Sequence, residues 1–331
     1  MKGRNLRMVD AETVHRVAKW EGLIETMRQC HVGQKPMGSR LLMTQPRDGG
    51  QPDALILVPA WQEGEAIGVK LVTSFPQNTT RHGLPTVDAL YVLFDPNTGK
   101  PSTIIDGEAI VFRKTASDTA LGVKLLSSPS ATRLLMVGAG ALAPYVIEAV
   151  RAVRSGIREI AIWNRTHERA VELADQVGKS ANVSARAVGD LSEALGWADI
   201  VISATMSEKP LIAGARLKPG AHVGLIGSFT AGMREADDDL MRRAAIYVDD
   251  LSAIEKTGEF IEPISRGVIS ADDVLGDLFA LCQGRCPPQH ADTVTVFKNG
   301  GAAHLDLFVA QHILAVLNGN QTVAMSDRVP N

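Results

Sequence analysis

Cysteine is scarce in this 331-residue chain, neither sign of charge dominates, and long apolar runs are missing. The three cysteines are Cys30, Cys282 and Cys286. Cys282, Cys286 and His290 have spacings that suggest a metal cluster. However, Gly284, Pro287 and Pro288 break that segment and no second ligand pair follows, so no metal site is expected. The formal net charge is -3 without a Lys/Arg block. That argues against nucleic acid or an anionic membrane as main partner, because phosphate binding needs clustered cations. No stretch nears the roughly 18 unbroken apolar residues of a membrane span. Met1 to Asp10 lacks the apolar centre of a signal peptide, which makes a cytoplasmic location the expectation. Internal repeats and low-complexity segments are also missing.

What is present suits two domains. Single cores stop growing near roughly 250 residues, and 45% hydrophobic with 21% charged residues is enough apolar material for two. The first hundred residues read as a helix followed by strands. Thr13 to Arg28 carries a helix-like apolar stripe at Val14, Val17, Ala18, Ile24 and Met27, behind Asp10 as a cap. Short apolar runs follow at Ala54–Val58, Ala66–Thr73, Ala89–Phe94 and Thr103–Ile105. Asp95-Pro96-Asn97-Thr98-Gly99 reads as a hairpin turn, so this region is antiparallel and of α+β type. After about Leu126 strands and helices alternate. Strands are expected at Leu134–Val137, Glu159–Trp163, Val183–Ala187, Ile200–Ala204, His222–Ile226 and Ile246–Val248, with helices at Leu142–Arg154 and Glu168–Val177. Such alternation predicts an α/β, doubly wound parallel sheet of Rossmann type. Ala302 to Leu317 is helix-like and is expected to return to the first domain, and the polar stretch past Asn318 is expected to fray.

Leu134-Leu-Met-Val137 runs into Gly138-Ala139-Gly140-Ala141-Leu142-Ala143, a G-x-G-x-x-A turn that opens a helix. Gly138 allows the tight turn, Gly140 lets backbone approach a pyrophosphate, and Ala143 lets helix pack close on strand. Phosphates then meet unpaired N–H groups at the helix start, and Pro144 suits the first helical turn. A glycine motif alone is weak. Here a strand precedes it, a helix follows, and a second strand ends about 25 residues on. An acidic residue after that second strand would hold the ribose 2′-OH of NAD and repel a 2′-phosphate. Asn164-Arg165-Thr166 stands there instead and suits the 2′-phosphate, so NADPH is the expected cofactor with NADH as second. Arg165 stacked on adenine or facing water is the plain alternative. Thr205 is placed to touch the nucleotide or to cap a helix.

An isolated Lys or Arg is most often solvated surface charge. Arg40, Lys70 and Arg113 stand apart because each sits among apolar or small residues, in Gly38-Ser39-Arg40-Leu41, Gly68-Val69-Lys70-Leu71-Val72 and Val111-Phe112-Arg113-Lys114. A long cation among strand residues is costly to bury unless an anion meets it, and Arg grips a carboxylate in bidentate fashion.

With these cations in place, the chain resembles the ornithine cyclodeaminase/mu-crystallin family. The resemblance covers Gly68-Val-Lys70 with Phe75-Pro76-Gln77-Asn78, Leu84-Pro85-Thr86, and Arg113 with Thr115-Ala116-Ser117. It continues through the glycine turn, Ala198-Asp199 to Thr205, Leu217-Lys-Pro-Gly220 and Gly227 to Asp237, and closes with Val296-Phe-Lys298 to Asp306. It implies a substrate and dimerisation domain over 1–118 and 303–331 around a Rossmann domain over 119–302, in a homodimer acting on amino or cyclic imino acids. Carried over by motif, Arg40, Lys70 and Arg113 bind the substrate carboxylate, with Lys70 and Arg113 the catalytic pair. Thr86 and the Asn299-Gly300-Gly301 loop line the pocket, and Gly227 and Ser228 join the nucleotide contacts.

One departure bears on the chemistry. Cyclodeaminating members carry an Asp in Gly-x-Asp-x-Pro-Gly as a proton shuttle, whereas this chain reads Gly227-Ser228-Phe229-Thr230-Ala231-Gly232. Expelling ammonia needs positioned acid–base groups worth about 10²–10⁴-fold, while an iminium accepts hydride directly. The segment resembles the imine-reducing branch, with Phe229 among the substrate-facing residues and expected to exclude water. The expectation is therefore NAD(P)H-dependent reduction of Δ1-pyrroline-2-carboxylate, and of its six-membered homologue, to L-proline or L-pipecolate. The rivals are an ornithine cyclodeaminase in which Glu235 or Asp237 replaces the lost carboxylate, an alanine-type dehydrogenase, and a mu-crystallin-like NADP-dependent ligand-binding protein.

Overall fold

The computed structural model describes residues 6–47, 51–181 and 183–320. Contacts divide the chain into two units. One runs to Lys114 and resumes at Ala302; the other is Thr115–Gly301.

The first unit holds β1 (Arg7–Val9), α1 (Ala11–Val17), α2 (Trp20–Val32), β2 (Met37–Gly38), β3 (Leu41–Gln45), β4 (Asp53–Gln62), β5 (Ala66–Ser74), α3 (Asn78–His82), β6 (Val87–Phe94) and β7 (Pro101–Asp106). Among the described residues its sheet has the order β1-β7-β6-β5-β4-β2, with β3 also on β4. Pairing is antiparallel except where β1 joins β7. Asp10 caps α1 by accepting from the Thr13 N–H at 2.9 Å. The single helix expected over Thr13 to Arg28 is instead two, parted at Ala18 and the extended Lys19. The break re-phases the apolar stripe, so that Val14, Ala18, Leu23, Ile24 and Met27 are all buried. At the expected hairpin, Asp95 Oδ1 accepts from the Asn97 and Thr98 N–H groups, and Gly99 takes φ +66°.

The larger correction concerns Arg113. Its neighbours read as a strand, yet the chain forms a helix, α4 (Gly107–Leu126), within which the two units divide. Asp106 Oδ1 accepts from the Ala109 N–H at 2.8 Å and starts this helix. Ala109, Ile110, Arg113, Ala116, Ala120 and Leu121 are buried at helical spacing.

Strand register sorts the sheet into two faces, because residues directly opposite each other share one. Val58, Lys70, Tyr91 and Ile105 lie in one row, on the face where the helix Ala303–Leu317 packs against β4 and β5. Leu41, Leu57, Leu71 and Leu90 form a row on the other face. That face is open to solvent, with Leu41 53%, Leu90 44%, Met43 55% and Trp61 51% exposed.

The second unit contains β8 (Arg133–Val137), α5 (Ala143–Val153), β9 (Glu159–Trp163), α6 (His167–Ala181), β10 (Ser184–Ala187), α7 (Leu191–Trp197), β11 (Ile200–Ser203), β12 (His222–Leu225), α8 (Asp238–Arg243), β13 (Ala245–Val248), β14 (Val274–Gly276) and β15 (Thr295–Lys298). Among the described residues these strands make a parallel eight-stranded sheet of order β10-β9-β8-β11-β12-β15-β13-β14. Leu135, Val137, Val201, Val223, Leu225, Ile246, Val248 and Val296 are buried in its core. Near-continuous apolar strands are what a parallel sheet covered on both faces requires. The strand order reverses between β8 and β11, and ligands of such sheets bind outside the carboxyl ends of strands at that switch point. β15 had not been expected, and it inserts between β12 and β13. The end expected to fray lies, from residue 321, outside the described residues. No helix among the described residues is long and apolar enough to cross a membrane.

Two buried histidines make stability depend on pH. Burial, helped by the Arg154 charge, holds His222 down at about 3, and burial alone holds His312 at about 4. Both groups are lowered from about 6.5, so below that pH the unfolded chain takes up protons that the fold refuses. Their contribution is present in full above 6.5 and is lost as pH falls toward 4 and then 3, by about 1 kcal/mol per pH unit for each histidine. Urea midpoints should fall steadily from pH 7 to pH 4.5. Replacing His222 and His312 by Asn should flatten that slope; an unchanged slope would mean that neither ring is buried neutral.

Candidate functional site

At the switch point of the second unit, β8 ends and the chain turns at once. Gly138 has φ +104°, and a Cβ there would stand 2.5 Å from the Ala204 carbonyl oxygen. Its N–H donates to the Trp163 carbonyl at 2.8 Å, so the turn is pinned to the end of β9 and pressed on the end of β11. Gly140 faces open space, since a Cβ there would meet nothing within 4 Å. The N–H groups of Gly140, Ala141 and Leu142 have no acceptor among the described residues. They lead into α5, whose first residue Ala143 is buried and whose first turn holds Pro144. Unspent donors with room in front of them, at the start of an eleven-residue helix, fit a pyrophosphate.

Asn164 makes two contacts that its place in the sequence does not show. Its Oδ1 accepts from the Ala139 N–H at 3.1 Å and its Nδ2 donates to the Thr166 carbonyl at 2.8 Å. The amide therefore staples the glycine turn to the loop after β9, and it does so with one of its two N–H donors. Arg165 and Thr166 are exposed beside it.

Thr205 is held by a residue that sequence reasoning weighed only as a stand-in acid. Glu235 is fully buried, and its Oε1 accepts from Ser203 Oγ at 2.5 Å and from Thr205 N–H and Oγ1 at 2.8 Å each. A Cβ on Gly227 would collide with the Thr205 carbonyl and this carboxyl group. Behind them Lys298, also buried, donates to the carbonyls of Leu225 and Gly227. Glu259 accepts from the N–H groups of Glu235 and Ala236. Burial pushes the Glu259 carboxyl up, opposed by the Lys298 charge and reinforced by Glu235. Asp237 caps α8 through the Leu240 N–H at 2.8 Å and accepts from the Gly214 N–H at 3.0 Å. Glu235 and Asp237 are thus held within the unit, Glu235 through Oε1 alone, since its Oε2 has no hydrogen-bond partner among the described residues. Phe229 itself is 57% exposed. Ser228 is buried in the left-handed region at φ +45°, and its hydroxyl has no partner among the described residues. Backbone strain of that kind costs about 1–3 kcal/mol and persists where surroundings enforce it. The amides of Gly300 and Gly301 donate to Asp249 Oδ1 and Oδ2 at 2.9 and 2.6 Å, while Asn299 donates to Thr119 Oγ1 at 2.8 Å.

In the first unit the expected cations have different surroundings. Arg113, on α4, donates through Nε to His15 Nδ1 at 3.1 Å and through Nη2 to the His15 carbonyl at 3.0 Å. Its guanidinium lies 4.1 Å from the centre of the Trp20 ring. His15 must be neutral at Nδ1 to accept this bond. Lys70 on β5 donates to Asp306 Oδ2 at 2.5 Å. Thr86 bonds Thr79 through the hydroxyls at 3.2 Å, and its carbonyl accepts from the Phe75 N–H. Arg40 follows β2 and is exposed. The roles of His15, Trp20, Asp249 and Asp306 were missed. Only Asp306 left a trace in sequence, as the one carboxylate in a mostly apolar helix, where a buried charge demands a partner.

A parallel sheet with this switch point and glycine turn defines a Rossmann-type fold, joined here to an α+β unit. The chain belongs to the ornithine cyclodeaminase/mu-crystallin family, which matches residues 5–320. It is similar to a Delta(1)-pyrroline-2-carboxylate reductase of Paracoccus denitrificans, 42% identical over 91% of this chain and 93% of the relative. It is also similar to the ketimine reductase mu-crystallin of Mus musculus, 33% identical over 77% and 78% of the two chains. Among solved structures, the Thermococcus litoralis Delta(1)-pyrroline-2-carboxylate reductase in complex with NADH and L-proline superposes with a TM-score of 0.86. It covers 95% of this chain and 99% of its own at 24% identity, a likeness of fold.

The two glycines should respond oppositely to substitution. Gly138→Ala should lower stability by about 1–3 kcal/mol, read in chemical denaturation. Gly140→Val should leave stability within about 0.5 kcal/mol of wild type yet weaken binding of a reduced nicotinamide dinucleotide at least about tenfold, read by fluorescence titration. Intact nucleotide affinity in Gly140→Val would remove the pyrophosphate from this turn.

Proposed function

We propose that this protein reduces Δ1-pyrroline-2-carboxylate, and its six-membered homologue Δ1-piperideine-2-carboxylate, to L-proline and L-pipecolate. The observation that carries this reading is the fate of the acids in Gly227 to Asp237. Phe229 stands where a cyclodeaminating relative has its carboxylate, Glu235 is spent on Ser203 and Thr205, and Asp237 is spent on a helix cap. Acids engaged in this way are poor at moving protons to and from a leaving nitrogen, and the segment suits adding hydride to a C=N bond that is already formed. A bound nicotinamide would supply that hydride to the ring carbon bearing the carboxylate, in a substrate that enters as the iminium with its nitrogen already protonated by solvent. Arg113 and Lys70 bind the carboxylate, with Arg113 held in place by His15 and Trp20, and Arg40 is a third, exposed cation. Thr86, Phe229, Gly300 and Gly301 are the remaining substrate-facing residues. Gly138 to Leu142, Asn164 to Thr166, Thr205, Gly227 and Ser228 serve the nucleotide. Positioning supplies most of the acceleration, since no covalent step is needed. NADPH is preferred because Arg165 and Thr166 are exposed where an acid would repel a 2′-phosphate. The site of work is the cytoplasm.

Purified protein should consume NADPH faster than NADH when given either ketimine, and should release no ammonia from ornithine. Arg113→Ala should lower kcat/KM by about 10²-fold or more. Asn164→Asp keeps the acceptor for Ala139 and, combined with Arg165→Ala, should move preference toward NADH. Ammonia from ornithine with no ketimine turnover would overturn the assignment, and an unmoved cofactor ratio would overturn the reading of Arg165.

The working form is a homodimer, in which the open face of the first unit's sheet is covered by a second copy. A contiguous exposed apolar face marks an interaction surface, and the row Leu41, Leu57, Leu71 and Leu90 runs across four adjacent strands. Light scattering should give twice the chain mass for wild type and the single mass for Leu41→Glu with Leu90→Glu. A monomeric wild type would exclude the dimer.

A further inference from the structure

We propose that Asp306 is a positioning residue for the imino acid, acting through Lys70; this rests on the reductase reading. Lys70 points to the helix-covered face of its sheet, with Val58 and Tyr91 beside it in register. Its side chain is 17% exposed, whereas the Asp306 side chain that meets it at 2.5 Å is 1% exposed. Asp306 sits in the first turn of the helix Ala303–Leu317, where unpaired backbone N–H groups favour negative charge.

The surroundings leave that carboxylate almost nothing else to hold. Its Oδ1 has no hydrogen-bond partner among the described residues, and neither has the fully buried Tyr91 hydroxyl. Burial raises the Tyr91 phenol well above its ordinary value, and the Asp306 charge adds to this. Gly68 closes the space, since a Cβ there would stand 2.5 Å from the Tyr91 hydroxyl. A buried carboxylate with one strong partner is a rigid mooring, because releasing it would leave an uncompensated charge.

An ammonium on a four-carbon stem carries three donors and considerable rotamer freedom. The bond to Asp306 uses one donor and selects one stem conformation, which directs the other two. A substrate carboxylate arriving at Lys70 then meets a donor that is already ordered, so less freedom is lost on binding. In this arrangement Asp306 touches no substrate. It supplies the order of the group that does, and its loss is felt in substrate affinity before turnover.

The test is steady-state ketimine reduction by the full-length protein, with NADPH titration and thermal melting as separate readouts. Asp306→Ala should raise KM for Δ1-pyrroline-2-carboxylate by about tenfold or more while kcat changes less than about threefold. Asp306→Asn, whose amide oxygen still accepts from the ammonium, should recover part of the loss, and it carries the measurement if the alanine variant fails to fold. NADPH affinity should stay within about twofold of wild type. Added to Lys70→Met, either change should do no further harm, because a residue acting through Lys70 falls silent without it. An unchanged or lowered KM, or an equal loss in the Lys70→Met background, would overturn the positioning role. Absence of ketimine turnover in the wild type would instead overturn the reductase reading.

Discussion

The close approach of two strand ends governs the second unit. β8 and β11 are neighbours in the sheet but not in the chain, and where they end the backbone of Gly138 lies against the Ala204 carbonyl. No side chain fits there. Glu235 then ties Ser203 and Thr205 together from below, and Gly227 is kept bare by the same carboxyl group. Exposed donors at Gly140 to Leu142 are the outcome: the turn is fixed on every side but the one facing a ligand.

Compensation of buried charge organises the rest. Glu235, Glu259 and Lys298 share one interior of the second unit, and each is met by backbone or hydroxyl groups that limit its desolvation cost. In the first unit Lys70 is met by a carboxylate, while Arg113 donates to the ring nitrogen and carbonyl oxygen of His15 and lies over the Trp20 ring. These are unlike solutions. A guanidinium tolerates stacking and weak hydration, whereas an ammonium needs an oxygen. Lys70 and Arg113, two of the three cations expected on one substrate carboxylate, are therefore supported in different ways.

The sequence was most legible where a pattern is local. The glycine turn, the strands Glu159–Trp163 and Leu134–Val137, the Asp95 turn and the Asp10 cap are all set by neighbours within a few residues, and they stand where expected. Arg113 was misread because Val111-Phe112 imitates a strand, although the burial of Ala109, Ile110, Ala116 and Ala120 follows a helical period. The break at Lys19 is a tertiary choice that no propensity records. β15 was missed because its register is set by β12 and β13, remote in the chain. Asn164 shows the same limit in the site: its position after β9 was legible, but its engagement with Ala139 and Thr166 depends on how two loops meet.

The insertion of β15 between β12 and β13 has a bearing on the order of synthesis. Until Thr295–Lys298 leaves the ribosome, β12 lacks its partner on one side and β13 is severed from the sheet, with apolar edges uncovered. The helix that covers β4 and β5 emerges later still. Neither unit can close early, so the nascent chain carries two unfinished cores together, a state in which unpaired strands invite aggregation. Truncation near the carboxyl end is for this fold an architectural injury and not a trimming.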